Sequence, residues 1–155
     1  MAIAPSLTLK RHLKAPPRLV WAAWTDPAMI VHWWGPTGAK TLKAEADPRV
    51  GGTFRVIFLT PDGEEHNVSG VYCEVLIEKR LAFTWVWITL PDRESLVTLV
   101  LEPVDGGTLF TLIHERFFDE AARDRHHEGW SGALDSLEKF IEQQAVSLAT
   151  GGSRT

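Results

Sequence analysis

The chain has 155 residues, 45% apolar and 23% charged, with a formal net charge of -4. That length fits one domain with a sizeable core, and an acidic balance without a Lys/Arg cluster excludes nucleic acid and anionic membrane surfaces as partners. The amino end lacks a basic, apolar leader pattern and no stretch reaches the ~20 apolar residues of a membrane span, so a cytoplasmic location is expected.

Leu7, Leu9, Arg11 and Leu13 share one parity of an extended segment, a first strand ended by Pro16-Pro17. Pro17 suits the first position of a helix whose Val20, Trp21 and Trp24 form one apolar stripe. Asp26 is an N-cap and Pro27 an N1 residue for a second short helix over Ala28 to Trp34, closed by Gly35 in a left-handed conformation. From Lys40 the period becomes two, with Leu42, Ala44 and Ala46 on one face of a second strand. Gly51-Gly52 opens a third strand through Leu59 and suggests a bulge. Further strands are predicted over His66 to Ile77, Leu81 to Thr89, Ser95 to Leu101 and Thr108 to about Arg116, each bounded by a turn signal. Asp119 caps a last helix over Glu120 to Val146, on which Trp130, Leu134, Leu137 and Ile141 make a continuous apolar stripe.

The expectation is an α+β domain over residues 1–148: seven antiparallel strands, two short helices after the first, and a sheet curled around the long C-terminal helix. Residues 149–155 read as a flexible tail. Phe54 with Phe58, and Phe83 with Trp85 and Trp87, ring the inner face with large side chains, enclosing either a filled core or a cavity.

The chemistry-bearing residues give little support for catalysis. The only cysteine, Cys73, lies in a strand pattern without an adjacent His or Lys, and reads as a buried packing residue. His126-His127 are adjacent on a helix and no metal-binding His spacing occurs, so no metal is expected. His114-Glu115, Arg55 and Tyr72 could serve as acid, base or oxyanion partners if they converged, but polar residues of alternating strands mostly face water. No nucleophile elbow or phosphate loop is present. Asp47 and Arg49 read as a turn-fixing ion pair, and Trp33 and Trp34 as a plug for the opening of the sheet, with a ligand gate as the other reading.

Several markers in order resemble the START-like helix-grip superfamily (SRPBCC), in the branch named for the activator of heat-shock-protein ATPase. They are Ala15-Pro16 with Val20-Trp21 and Trp24-Thr25-Asp26-Pro27; Trp33-Trp34-Gly35-Pro36; Asp47-x-Arg49-Val50-Gly51-Gly52-x-Phe54; Gly70-x-Tyr72-x-Glu74-Val75; Arg80-Leu81-x-Phe83-Thr84-Trp85; and Gly129-Trp130. The resemblance implies a cavity between sheet and last helix. Its candidate lining is Trp33, Trp34, Phe54, Phe58, Tyr72, Phe83, Trp85, Leu99, His114, Trp130, Leu134 and Leu137, with the Val97/Leu99/Leu101 parity facing inward. The expected function is non-enzymatic binding of a small apolar or amphipathic molecule, with no cofactor, in a monomer or homodimer. The alternatives are a stress-response co-chaperone that stimulates a chaperone ATPase and a polyketide-cyclase-like enzyme. The named eukaryotic activators carry an additional amino-terminal domain that makes much of the chaperone contact, which ranks the co-chaperone reading second.

Overall fold

A computed structural model describes residues 4–151, with side chains through Ser147. The elements run β1 (Leu7–Leu13), α1 (Pro17–Thr25), α2 (Pro27–Ile30), β2 (Lys40–Ala46), β3 (Thr53–Leu59), β4 (Glu65–Leu76), β5 (Arg80–Trp87), β6 (Ser95–Val104), β7 (Gly107–Glu115) and α3 (Glu120–Gly151). All seven strands join one antiparallel sheet in the order β1-β7-β6-β5-β4-β3-β2. The meander therefore places each strand beside its sequence neighbour, and only β1 crosses to the far side, where Leu7 faces His114 and Leu13 faces Thr108.

Period-two alternation decides which side chains face α3. Phe54, Val56 and Phe58 of β3, Val68 and Tyr72 of β4, Leu81, Phe83 and Trp85 of β5, Val97, Leu99 and Leu101 of β6, and Phe110 and Leu112 of β7 are buried. The inward parity is thus the expected one. From α3 the stripe of Trp130, Leu134, Leu137 and Ile141, widened by Ala133 and Phe140, fills the concave side. Arg11 lies on that same side at the sheet edge and bonds Asp135 at 2.8 Å and Glu138 at 3.0 Å, fastening β1 to the helix. Asp26 caps α2 through Ala28 N–H at 2.9 Å, and Asp119 caps α3 through Ala122 N–H at 2.8 Å.

Some expectations need correction. The second short helix ends at Ile30, and Trp33 and Trp34 follow it in a turn. Helix α3 continues past Val146 to Gly151, so the first residues assigned to a tail are helical; residues 152–155 lie outside the described ones. A register shift between Thr41 and Lys43 turns Leu42 away from the face of Ala44 and Ala46, leaving it 47% exposed. Cys73 is exposed and not buried, because it follows inward-facing Tyr72 on β4 and alternation puts it on the outward side with Val71. The Gly51-Gly52 expectation holds: Gly51 N–H donates to Tyr72 O and Tyr72 N–H to Gly52 O, both at 2.9 Å, so two residues oppose one. Gly51 takes a φ of +87°, the left-handed first residue of a bulge. Beside it Arg49 pairs with Asp47 at 2.8 Å, the expected turn-fixing ion pair.

Candidate functional site

Trp85 and Trp87 are two apart on β5 and point to the same side of the sheet, so two indole N–H groups need acceptors within a few ångströms of each other. Helix α3 supplies one acceptor for both. His126 Nε2 receives the Trp87 N–H at 2.9 Å and the Trp85 N–H at 3.3 Å, while its Nδ1 donates to Ala122 O, one turn back, at 2.7 Å. One turn further along, Trp130 donates its own N–H to His114 Nδ1 of β7 at 3.0 Å. Because an indole only donates, His114 must carry its proton on Nε2, which faces Ser95 Oγ at 2.7 Å; Ser95 in turn donates to Trp85 O at 3.4 Å. Both imidazoles are therefore neutral, with opposite tautomers, and all four ring nitrogens are used.

Burial reinforces that state. His114 is fully inaccessible, and desolvation, with a smaller contribution from the neighbouring His126, pushes its pKa well below the ordinary histidine value. Desolvation also lowers His126, opposed by its bond to Ala122 O and aided by the positive charge of Arg125. Tyr72, packed against Phe54 and Phe83, has its phenol pushed up by burial and by Asp47, so it stays protonated.

Above this network lies a cavity of about 370 Å³. Its deep walls are Trp34, Phe58, Trp85, Phe117, Ala122, Trp130 and Ala133, all buried, with Trp87 beside them. Trp34 stacks on Trp85 with centroids 5.7 Å apart and meets Trp130 edge-on at 6.0 Å, so the turn after α2, the sheet and α3 meet in one aromatic joint. The outer end is ringed by Ile88 and Leu90 after β5, Phe118 before α3, and the charged Glu65, Arg93 and Arg125. Two glycines shape the helix side. A Cβ on Gly129 would meet no atom within 4 Å, whereas one on Gly132 would lie 2.8 Å from Thr37 Oγ1. Gly132 thus seats the helix against the loop, and Gly129 leaves the cavity open.

Of the residues expected to line a cavity, Trp34, Phe58, Trp85 and Trp130 do so. The other eight do not line it. Trp33 is buried with its N–H on Ala23 O at 3.0 Å, Phe54, Tyr72 and Phe83 pack on one another farther along the sheet, and Leu99, Leu134 and Leu137 lie in the filled core. His114 sits beneath, one hydrogen bond removed through Trp130. Arg55 does not converge with Tyr72 and His114: it points to the opposite face of the sheet, where it bonds Asn67 and lines an open depression with Glu45, Asp47 and Glu94. No acid-base set converges on the cavity from these residues. Among the described residues no group of three or more His, Cys, Asp or Glu is placed to share a metal ion, and no helix is long and apolar enough to cross a membrane.

A curved antiparallel sheet closed over a long C-terminal helix, with an aromatic cavity between them, defines a protein of the START-like helix-grip class. The chain belongs to the family described as Activator of Hsp90 ATPase homolog 1-like protein, whose pattern matches residues 14–142. Among solved structures it is similar to a protein from Nitrosomonas europaea, 30% identical, over 90% of this chain and 95% of that one, with a TM-score of 0.77. A Chromobacterium violaceum protein is also 30% identical, over 88% and 96% of the two chains, with a TM-score of 0.80. The AHSA1 protein from Silicibacter pomeroyi is 27% identical, over 90% and 99%, with a TM-score of 0.81. No curated protein is significantly similar in sequence.

Proposed function

We propose that this protein binds one small apolar or amphipathic molecule in the cavity between sheet and α3 and carries out no reaction on it. The observation that carries this reading is the void of about 370 Å³ walled by aromatic rings and left open at Gly129, where a side chain would fit without a clash. Cavities of this size and lining suit small ligands. The non-enzymatic part is supported by the histidines: His114 and His126 spend their ring nitrogens on Trp130, Ser95, Trp85, Trp87 and the Ala122 carbonyl, so neither offers a free base to the cavity. An exposed, unpaired Cys73 suits a reducing compartment such as the cytoplasm.

Titration with a neutral aromatic probe such as naphthalene tests the reading. Binding with a stoichiometry near one and a change in tryptophan emission is expected, since four indoles touch the cavity. Gly129→Leu should abolish both while the fold is retained. An unmodified protein that binds no apolar probe overturns the proposal.

A second reading, stimulation of a chaperone ATPase, is favoured by the description of the family and by the apolar rim, where Ile88 is 59% and Phe118 63% exposed. At most weak stimulation is expected in an ATPase assay with Hsp90 from the same source. Robust stimulation that survives Gly129→Leu would put the co-chaperone reading first.

A further inference from the structure

The cavity's inner wall is apolar, and the side-chain polar groups deepest in it are already engaged with one another. His126 is saturated by two indoles and a carbonyl, and Ser95 is held between His114 and Trp85 O. On the side of the β3–β4 turn, Thr60 bonds His66 and Asp62, while the Asn67 side chain turns to the opposite face and accepts from Arg55 there. What remains uncommitted is charge at the outer end. Arg11, Arg49, Arg80 and Arg123 are each paired with a carboxylate, but Arg93 and Arg125 have none among the described residues, and both line the cavity. Among the described residues Arg18 and Arg116 also have no carboxylate partner but line neither this cavity nor the depression on the opposite face, and Arg55 bonds Asn67 in that depression. Glu65 of β4 is the one carboxylate among the residues lining this cavity, against the two guanidinium groups, so the lining keeps a net positive sign on a chain of net charge -4. Arg93 lies over the Phe118 ring at 3.8 Å. That contact engages an aromatic ring and no carboxylate, so the guanidinium charge has no anionic partner among the described residues.

We propose that the ligand is an aromatic organic acid, its ring system held among Trp34, Trp85, Trp87 and Trp130 and its carboxylate at the outer end against Arg93 and Arg125. The inference rests on the ligand-site reading above and adds the sign of the head group. The volume admits roughly a dozen non-hydrogen atoms at the ~30 Å³ that a water-sized group occupies in a liquid, about the size of a two-ring body. The walls favour a flat one, because offset and edge-on ring contacts add to plain area burial. A carboxylate bound by a guanidinium makes charge-assisted hydrogen bonds, which a neutral amide of the same shape does not.

Naphthylacetate and its primary amide separate the charge from the body. Calorimetric titration at low salt should show the acid binding about tenfold tighter than the amide, a preference that shrinks as salt is added. In the Arg93→Gln/Arg125→Gln variant the ratio of the two affinities should fall to near one, and Arg93→Lys/Arg125→Lys should restore part of it. Near-ultraviolet circular dichroism verifies that both variants are folded. Equal affinities in the unmodified protein, or a ratio that survives Arg93→Gln/Arg125→Gln, overturns the anion proposal and leaves the ligand site standing. Binding of neither compound, nor of naphthalene, removes the ligand site itself and the anion with it.

Discussion

His114 and His126 both accept indole N–H bonds, and an imidazolium cannot accept, so protonating either one breaks a bond that joins the sheet to α3. Their pKa values are lowered in the folded chain, so the unfolded chain binds more protons below the ordinary histidine value. Stability from these two groups is therefore complete above about pH 6.5 and is lost as pH falls toward their folded values, by up to ~1.4 kcal/mol per pH unit for each. Urea midpoints taken at steps between about pH 7.5 and pH 5 check this. His126→Gln should be less stable at neutral pH and show a shallower slope, and a midpoint independent of pH across that range would contradict the assignment of neutral imidazoles. Trp130 provides the matching test from the donor side. Trp130→Ala should cost ~3 to 5 kcal/mol, and Trp130→Phe ~1 to 3 kcal/mol, chiefly because His114 Nδ1 is left buried without a donor. Trp34, Phe58, Trp85 and Trp130 were legible as cavity candidates because large rings on inward positions have few other uses. The histidine spacing in the sequence excludes a metal role for His126 and offers no other, yet two signals point to it: the Trp85-x-Trp87 spacing demands an acceptor, and His126 lies one helical turn from Trp130. Arg93, Arg125, Phe117 and Phe118 had no such signal, since loop and helix-flank residues converge only once the tertiary fold exists.

Along α3, two glycines three residues apart make opposite demands. Gly129→Ala should raise the melting temperature, by the ~0.5 to 1 kcal/mol that alanine gains over glycine inside a helix, because its Cβ meets nothing within 4 Å. Gly132→Ala should lower it, because its Cβ would press on Thr37 Oγ1 at 2.8 Å and Thr37 N at 2.9 Å, moving the loop that carries Trp33 and Trp34. Equal shifts for the two variants would argue against this seating of the helix. Most elements could be read from the sequence because alternation and helical stripes each leave a periodic trace, and because Asp26 and Asp119 mark helix starts by a local hydrogen bond. Leu42 sits at a register shift, whereas the burial expected of Cys73 follows from its residue type alone and is overruled by plain alternation from Tyr72. A bulge leaves no periodic signature and is fixed by the partner strand, so alternation counted across it assigns the wrong face. Gly51-Gly52 was the exception, since left-handed φ calls for a residue the sequence displays.

At the scale of the molecule, the meander from β2 to β7 forms from neighbouring hairpins, while β1 must find β7 across the whole chain, Leu7 opposite His114. Closing a loop of roughly a hundred residues costs about 4 kcal/mol of chain entropy by the logarithmic loop law. That cost is met before the ladder or the Arg11 bonds to Asp135 and Glu138 return anything. The order of assembly follows: hairpins first, β1 last. Leu13→Ala in β1 should therefore speed unfolding and leave the folding rate nearly unchanged, whereas Val68→Ala in β4 should slow folding, a contrast that denaturant-dependent stopped-flow rates would read directly. Until β1 arrives, β7 is a bare strand edge with unpaired amides and carbonyls, open to another chain in the same state. Refolding yield should thus fall as protein concentration rises, and fall most steeply in variants that delay the seating of β1.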